Sequence, residues 1–105
     1  MERPELSIAV LREPDETVLK LAGEIDMLTA ARLSRVVNEV LTDAPVRIVL
    51  DMAGITFCDS QGLGTIVVLT KKASHSQSVL LLTNVGDFLQ RVLDITGLRS
   101  ALTVR

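Results

Sequence analysis

Residues 58–64 of the chain read Cys-Asp-Ser-Gln-Gly-Leu-Gly, and they join two segments with different hydrophobic patterns. The preceding residues 46–51 form an almost continuous apolar run, which is typical of a strand covered on both faces. Over residues 63–72 the apolar positions recur at helical spacing, and this helix is expected to end around residues 71–74. Ser60 therefore lies between a strand and a helix, where backbone N–H groups and the helix dipole favour an anion such as phosphate.

The segment before this junction predicts a hairpin and a helix. Residues 6–11 and 18–21 are two apolar strand-like runs, and the polar residues 12–16 between them form the turn. Residues 28–41 have apolar positions at the spacing of an amphipathic helix. Residues 43–45, which include a proline, are expected to stop this helix.

The segment after the junction continues the alternation. Residues 78–83 form a second buried strand, and Asn84 followed by Asp87 predicts the cap and first turn of a third helix. Four apolar positions of this helix are expected to face inward: Phe88, Leu89, Val92 and Leu93. Gly97 ends it, and residues 102–104 form a last short strand. The order of elements predicts an α/β fold with a largely parallel or mixed sheet covered by helices.

Composition narrows the function classes. The chain has 105 residues, 48% of them hydrophobic, which suits one domain with one core. Its 11 basic and 13 acidic residues are nearly balanced, which argues against nucleic acid and anionic membranes as partners. No segment approaches the ~20 apolar residues of a membrane helix, and Met1–Pro4 do not begin a signal peptide. We therefore predict a cytoplasmic protein.

Catalytic and metal-binding patterns are absent from the sequence. The single histidine, His75, lies in a polar stretch and is interpreted as a solvated loop residue. Ser60 lacks the Gly-x-Ser-x-Gly elbow of a hydrolase, and Gly62 and Gly64 do not complete a nucleotide-binding fingerprint. One cysteine, Cys58, is too few for a disulfide within the chain, and it lies 17 positions from the single histidine, so metal ligands do not cluster in the sequence. The sequence predicts no catalytic residue, no metal and no cofactor.

Several residues near the junction allow a structural and a functional interpretation. Ser60 could be a helix cap or a modification site, and Asp59 could favour the helix N-terminus or position the hydroxyl. Asp26 or Thr29 could begin the first helix, with Asp26 otherwise an exposed loop acid. Because helices follow strands here, the two connections that contain Asp26 and Ser60 are expected to gather at one edge of the sheet. Gly62 and Gly64 could permit close packing within the chain or the close approach of a partner. Cys58 is interpreted as a small buried hydrophobic residue, with redox chemistry as a minor alternative.

Three sequence elements resemble one protein family. Residues 59–64 resemble the Asp-Ser-x-Gly-Leu-Gly signature of the STAS family, which includes anti-sigma factor antagonists and the cytoplasmic ends of sulfate transporters. Residues 23–26, Gly-Glu-Ile-Asp, are similar to the family's Gly-Glu-(Leu/Ile)-Asp element. Residues 93–98 are similar to its Leu-x-x-Thr-Gly-Leu ending. The elements stand in the family order, and the similarity extends over residues 6–104.

The resemblance implies a single STAS domain over residues 1–105, with a mixed sheet of about five strands and α-helices packed mainly on one face. It also implies a binding protein, an anti-sigma factor antagonist, that is not an enzyme. Its partner would be a bacterial anti-sigma factor with serine kinase activity, which phosphorylates Ser60, and a PP2C-type phosphatase would reverse the reaction. The implied partner-binding residues are Asp26, Asp59, Ser60, Gln61, Gly62, Leu63 and Gly64.

Alternatives to this function remain open at the level of sequence. Many family members carry Ser or Thr directly after the phosphorylated serine, whereas this chain has Gln61. The domain could instead be a non-phosphorylated STAS scaffold, or a soluble subunit of a lipid or solute transport complex. A small-molecule sensor with a groove near Gly62 is a third alternative, and weak homodimerisation is compatible with each of them.

Overall fold

The structure is a computed structural model that describes residues 5–105. The first two strands, β1 (Ser7–Arg12) and β2 (Glu16–Ile25), form the predicted antiparallel hairpin. The first helix, α1 (Ala30–Leu41), follows β2, and its buried residues recur on one face. The hairpin and the helix follow from the sequence, because their apolar positions repeat at the period of a strand and at the period of a helix, respectively.

The second half of the chain alternates strands and helices. β3 (Arg47–Cys58) leads into α2 (Ser60–His75), and β4 (Val79–Thr83) leads into α3 (Asp87–Thr96), which a 3₁₀ turn follows. α2 starts three residues before the predicted position and ends slightly later. His75 is consequently an exposed residue of the last helical turn rather than a loop residue.

The sheet has the order β1-β2-β3-β4. β1 is antiparallel to β2, whereas β2, β3 and β4 are mutually parallel. In the register of the central strands, Leu19 lies beside Leu50, which lies beside Leu82. A parallel pair needs a crossover connection, and α1 and α2 provide the two crossovers. The predicted mixed α/β sheet is therefore confirmed.

All three helices pack against one face of the sheet. Side chains alternate between faces along each strand, and the helices share one apolar cluster with alternate strand residues. The fully buried members of this cluster include Leu19, Leu33, Ile48, Leu50, Leu63, Ile66, Leu80, Leu82 and Leu93. Val49 and Leu81 are buried on the opposite face and do not belong to the cluster. The prediction of helices mainly on one face is confirmed.

Two strand predictions need correction. β3 continues seven residues beyond Asp51, the predicted end of the strand, to Cys58, because β2 supplies partners for four residues of the extension, the last of them Cys58. The register shifts twice there, after Lys20 and after Gly23, as at a β-bulge. The predicted fifth strand over residues 102–104 is reduced to a single parallel bridge between Val104 and Leu82. Within residues 5–105 the sheet therefore has four strands rather than about five.

The start of α3 also differs from the prediction. Asn84 is not the cap, since Gly86 occupies that position and the Asn84 amide donates instead to the Asp51 carboxylate, with 2.9 Å between Nδ2 and Oδ1. This bond, together with the Ala53 N–H and the charge of Lys20, lowers the pKa of Asp51.

The faces of α3 are only partly as predicted. Leu89 and Leu93 are buried, whereas Phe88, which was expected to face inward, is 60% exposed. Gly97 ends the helix as predicted, with a φ of 74° that glycine adopts without strain.

Candidate functional site

The carboxyl ends of β2 and β3 meet at one edge of the sheet. Ile25 lies beside Cys58 in the parallel register, and the Asp59 N–H donates to the Ile25 carbonyl over 3.1 Å. The connection from β2 to α1, which contains Asp26, therefore adjoins the start of α2, which contains Ser60. Ligand sites commonly form at such an edge of a parallel sheet. The expectation that the two connections gather at one edge is confirmed.

Asp59, rather than Ser60, caps α2. The Gly62 N–H donates to Asp59 Oδ1 over 2.8 Å, and the extended backbone of Asp59 is typical of an N-cap. The Leu63 N–H donates to the Asp59 carbonyl over 2.9 Å as the first regular helical bond. Ser60 is consequently the first helical residue and is exposed to solvent. Its hydroxyl is not required as the cap, so the capping interpretation of Ser60 is wrong.

Asp26 is a buried residue that organises the connection from β2 to α1. Its side chain is only 8% exposed. Oδ1 accepts from the N–H groups of Leu28 and Thr29, over 2.9 and 3.0 Å, and its carbonyl accepts from the Ala30 N–H. Thr29 lies at the N-cap position of α1 but makes no side-chain capping bond there. The expectation of an exposed loop acid is therefore wrong, because these backbone donors hold the carboxylate inward.

Two further residues of the predicted partner surface are buried. Leu63 is 1% exposed and belongs to the apolar cluster beneath α2. Gly62 is buried against the end of β2, where a Cβ atom would lie 2.5 Å from the Ile25 carbonyl oxygen. Real side chains do not approach a backbone atom so closely, and glycine is therefore required by packing within the chain. Like Asp26, these residues support the surface from below rather than forming it.

The exposed part of the signature lines a groove. Ser60, Gln61 and Gly64 are exposed, and Asp59 is half-buried beside them. The groove has a volume of about 440 Å³ and lies where α1 approaches α2. Its lining residues are Ser34, Ser60, Gln61, Gly64, Thr65 and Val68. Sequence analysis did not identify Ser34, Thr65 and Val68. The last two follow Ser60 at helical spacing, whereas only the packing of α1 on α2 brings Ser34 to the groove.

Gly64 differs from Gly62 in its surroundings. A Cβ atom built at Gly64 meets nothing within 4 Å in the packed chain, its own helix backbone and nearest neighbours aside. Gly64 also does not have the positive φ that would favour glycine. A glycine inside a helix costs about 1 kcal/mol relative to alanine. Neither packing nor backbone conformation in the described structure offsets that cost.

Cys58 is a buried thiol at the end of β3. Burial and, secondarily, the charge of Asp59 raise the pKa of Cys58 to about 12. The reactive form of cysteine is the thiolate, so the group is unreactive at neutral pH. This agrees with the interpretation of Cys58 as a small buried hydrophobe and disfavours redox chemistry.

Exposed apolar side chains lie near the same edge of the sheet. Met27 and Leu28 follow β2 and are more than 60% exposed, and Phe57 near the end of β3 is 43% exposed. Phe57 and Phe88 line one small pocket between β3 and α3. Exposed aromatic and apolar residues are enriched at protein interfaces. The sequence did not identify these four residues as exposed, because their apolar character also fits a core position.

Across residues 5–105, acidic, histidine and cysteine side chains do not form a group of three or more that could hold a metal ion. In the same part of the chain, the helices lack the combination of length and apolar character that a bilayer crossing requires.

Comparison with known families identifies the class of protein. The model of the family described as "Mlab, STAS domain" matches residues 8–104, and the chain therefore belongs to the STAS domain family. An anti-sigma-B factor antagonist from Listeria monocytogenes is 30% identical over 94 residues, which are 90% of this chain and 82% of the relative.

Solved structures agree with this assignment. The crystal structure of an anti-sigma factor antagonist from Mycobacterium paratuberculosis superposes with a TM-score of 0.83 at 25% identity, covering 95% of this chain and 85% of that chain. The antagonist SpoIIAA in its unphosphorylated form has the same fold, with a TM-score of 0.77 at 17% identity and coverage of 94% and 88% of the two chains. The phosphorylated form of Bacillus SpoIIAA superposes with a TM-score of 0.71 at 16% identity, covering 94% and 91% of the two chains.

Proposed function

We propose that this chain is an anti-sigma factor antagonist, a binding protein whose affinity for its partner is switched by phosphorylation of Ser60. The partner is an anti-sigma factor with serine kinase activity. The chain sequesters it when Ser60 is unmodified and releases it when Ser60 carries phosphate, and a PP2C-type phosphatase resets the switch. The observation that carries this proposal is the exposed Ser60 hydroxyl at the start of α2, held in position by the Asp59 cap.

The local geometry supports modification of Ser60 without a change of fold. As the first helical residue, Ser60 is next to the backbone N–H groups and the positive end of the dipole of α2, which accommodate an anion. Asp59 bonds to Gly62 through its side chain and to Leu63 through its carbonyl, and neither bond uses the Ser60 hydroxyl. A kinase can therefore reach the hydroxyl while the cap of the helix stays in place.

Electrostatics supports release of the partner. The groove beside Ser60 is lined, within residues 5–105, by six residues that carry no charged side chain. A phosphoryl group adds about −1.5 to −2 charges at pH 7, and it would do so directly after the acidic residue Asp59. A partner surface that fits an uncharged groove would then meet an anion, and the cost of desolvating that anion opposes binding.

The predicted partner surface is accordingly revised. The exposed residues Ser60, Gln61 and Gly64, with half-buried Asp59, form the contact surface of this proposal. Asp26, Gly62 and Leu63 hold that surface in shape from beneath. The relative from Listeria is named as an antagonist, which supports a role in binding. In this proposal the kinase and phosphatase activities belong to the partners.

The first prediction is that the cognate anti-sigma factor kinase, incubated with ATP, adds one phosphate at Ser60. The kinase to be tested is obtained by affinity capture on the Ser60→Ala variant. This variant cannot be phosphorylated at residue 60 and should therefore retain the bound kinase. Intact-mass measurement and peptide mapping then locate the phosphate. Ser34→Ala is the matched control, because Ser34 lines the same groove, and it should be labelled like the parent.

Binding provides a second readout of the same prediction. In calorimetry, Ser60→Ala should bind like the unmodified parent, and Ser60→Asp should bind at least about tenfold more weakly, which corresponds to ~1.4 kcal/mol. Labelling of Ser60→Ala, or equal affinity of the parent, its phosphorylated form and Ser60→Asp, would refute the switch. Partner binding that is independent of Ser60 would favour the alternative of a non-phosphorylated scaffold or transport-complex subunit.

A further inference from the structure

The two glycines of the signature have different surroundings, and the difference defines their roles. Gly62 is required by the fold, because a Cβ atom there would lie 2.5 Å from the Ile25 carbonyl oxygen and 2.8 Å from its side chain. Gly64 has no such requirement, since its Cβ would point into open space and its φ is not positive. Glycine lowers helix stability relative to alanine. The fold of the free chain therefore explains Gly62 and leaves Gly64 unexplained.

Gly64 lines the groove that contains Ser60. Ser60, Gly64 and Val68 follow one another at a spacing of four residues and share one face of α2. Val68 is 62% exposed although it is apolar. The face thus presents a hydroxyl, a bare stretch of helix backbone and an exposed apolar side chain, and Ser34 of α1 lines the same groove.

We propose that the anti-sigma factor packs its main chain directly against the backbone of α2 at Gly64, with Val68 contacting the same segment. A missing side chain lets two backbones approach more closely than any other residue allows. The uncharged lining of the groove suits a main-chain segment with small or apolar side chains rather than a charged loop. This inference rests on the proposed function, and it makes Gly64 a residue that determines partner fit without contributing to the fold.

The second prediction follows from the opposite demands of folding and binding. Gly64→Ala should raise the Tm of the free domain by about 4 °C, because alanine favours the helix and its methyl group meets no atom. The same variant should bind the anti-sigma factor kinase more weakly than the parent. Gly64→Val should lose about tenfold or more in affinity, since a branched side chain displaces the partner backbone. Calorimetry and thermal melts measure the two effects.

Ser74→Ala is the matched control for a gain of helix propensity. Ser74 is exposed on α2 but far along the helix from the groove, so its substitution should leave the affinity unchanged. Parental affinity of Gly64→Ala and Gly64→Val would overturn the inference while leaving the proposed function intact. A lower Tm for Gly64→Ala would overturn it as well, because the glycine would then serve the fold.

The remaining outcomes separate this inference from its alternatives. If neither the parent nor Ser60→Ala binds an anti-sigma factor, the proposed function fails and the inference fails with it. If Gly64→Val changes only the self-association measured by analytical ultracentrifugation, the groove binds a second copy of this chain. In that case the anti-sigma factor contact is located elsewhere and the inference is wrong.

Discussion

At the scale of single residues, Asp26 shows how burial changes the interpretation of an acidic side chain. The sequence places this acid in a connection between a strand and a helix, near Ser60. That position suits an exposed contact residue as well as it suits a helix cap. In the structure the carboxylate accepts two backbone N–H groups, from Leu28 and Thr29, and is largely buried. Buried polar atoms are costly without hydrogen bonds, and the bonds made here explain why this acid is retained inside the connection.

The third prediction separates two roles of the Asp26 side chain, as a hydrogen-bond acceptor and as a negative charge. Asp26→Ala removes the acceptor from two partly buried backbone N–H groups and should lower the free energy of unfolding by about 1–2 kcal/mol. Asp26→Asn keeps an oxygen at the same position and should lose clearly less. Urea unfolding of the two variants beside the parent measures the difference.

Phosphorylation of Asp26→Asn then reports on the charge itself. If the variant remains folded but is labelled more slowly than the parent by the anti-sigma factor kinase, the carboxylate acts on Ser60 as well as on the fold. Equal losses of stability for Asp26→Ala and Asp26→Asn would contradict the assignment of Oδ1 as the stabilising group.

At the scale of secondary-structure elements, the position of α2 depends on its close approach to the end of β2. The Asp59 N–H bonds to the Ile25 carbonyl, and Gly62 lies against the same carbonyl one helical turn further on. These two contacts fix the first turn of α2 against the sheet. The exposure of Ser60 on the opposite side of that turn is a consequence of this packing.

The fourth prediction is that Gly62→Ala destabilises the domain. Its methyl group would require the first turn of α2 to move away from Ile25, and such overpacking typically costs about 1–3 kcal/mol. A lower denaturant midpoint measured by circular dichroism, beside a raised midpoint for Gly64→Ala, tests the contrast between the two glycines. A Gly62→Ala variant as stable as the parent would show that the contact with Ile25 relaxes without cost.

At the scale of the whole molecule, the apolar core determines how stability responds to pH. Cys58 belongs to that core and keeps its proton in the folded state up to a pKa of about 12, whereas its ordinary value is 9.0. Between these values the unfolded chain loses the thiol proton and the folded chain keeps it. The unfolded state then binds fewer protons, so stability falls as the pH rises from about 9 towards 12.

The fifth prediction is that Cys58→Ala removes this alkaline loss. Between pH 7.5 and pH 10, the parent should lose about 1.4 kcal/mol more of its unfolding free energy than the variant does, because one pH unit above the ordinary pKa corresponds to ~1.4 kcal/mol. Urea unfolding under reducing conditions at the two pH values measures the difference. The same pH dependence in both proteins would mean that the thiol is more accessible than its burial indicates.

The sequence by itself determined the order of elements and the class of fold. Hydrophobic periodicity is a local property, and it located the hairpin, the three helices and the two buried strands because each segment repeats its apolar positions at its own period. The signature over residues 59–64 and the two other elements also sufficed for the family, which the match over residues 8–104 confirms. The change of period also located Ser60 at the junction between a strand and a helix, although α2 begins at Ser60 itself, three residues before the predicted start.

Only the tertiary structure decided which residues of the signature reach the surface. Leu63 and Gly62 are buried and Gly64 is exposed because β2, a segment far away in the sequence, packs beneath the first turn of α2. The extension of β3 and the single bridge at Val104 depend in the same way on which backbone lies alongside. Periodicity within one segment contains no information about its neighbours in space, so these features were fixed only when the segments packed together.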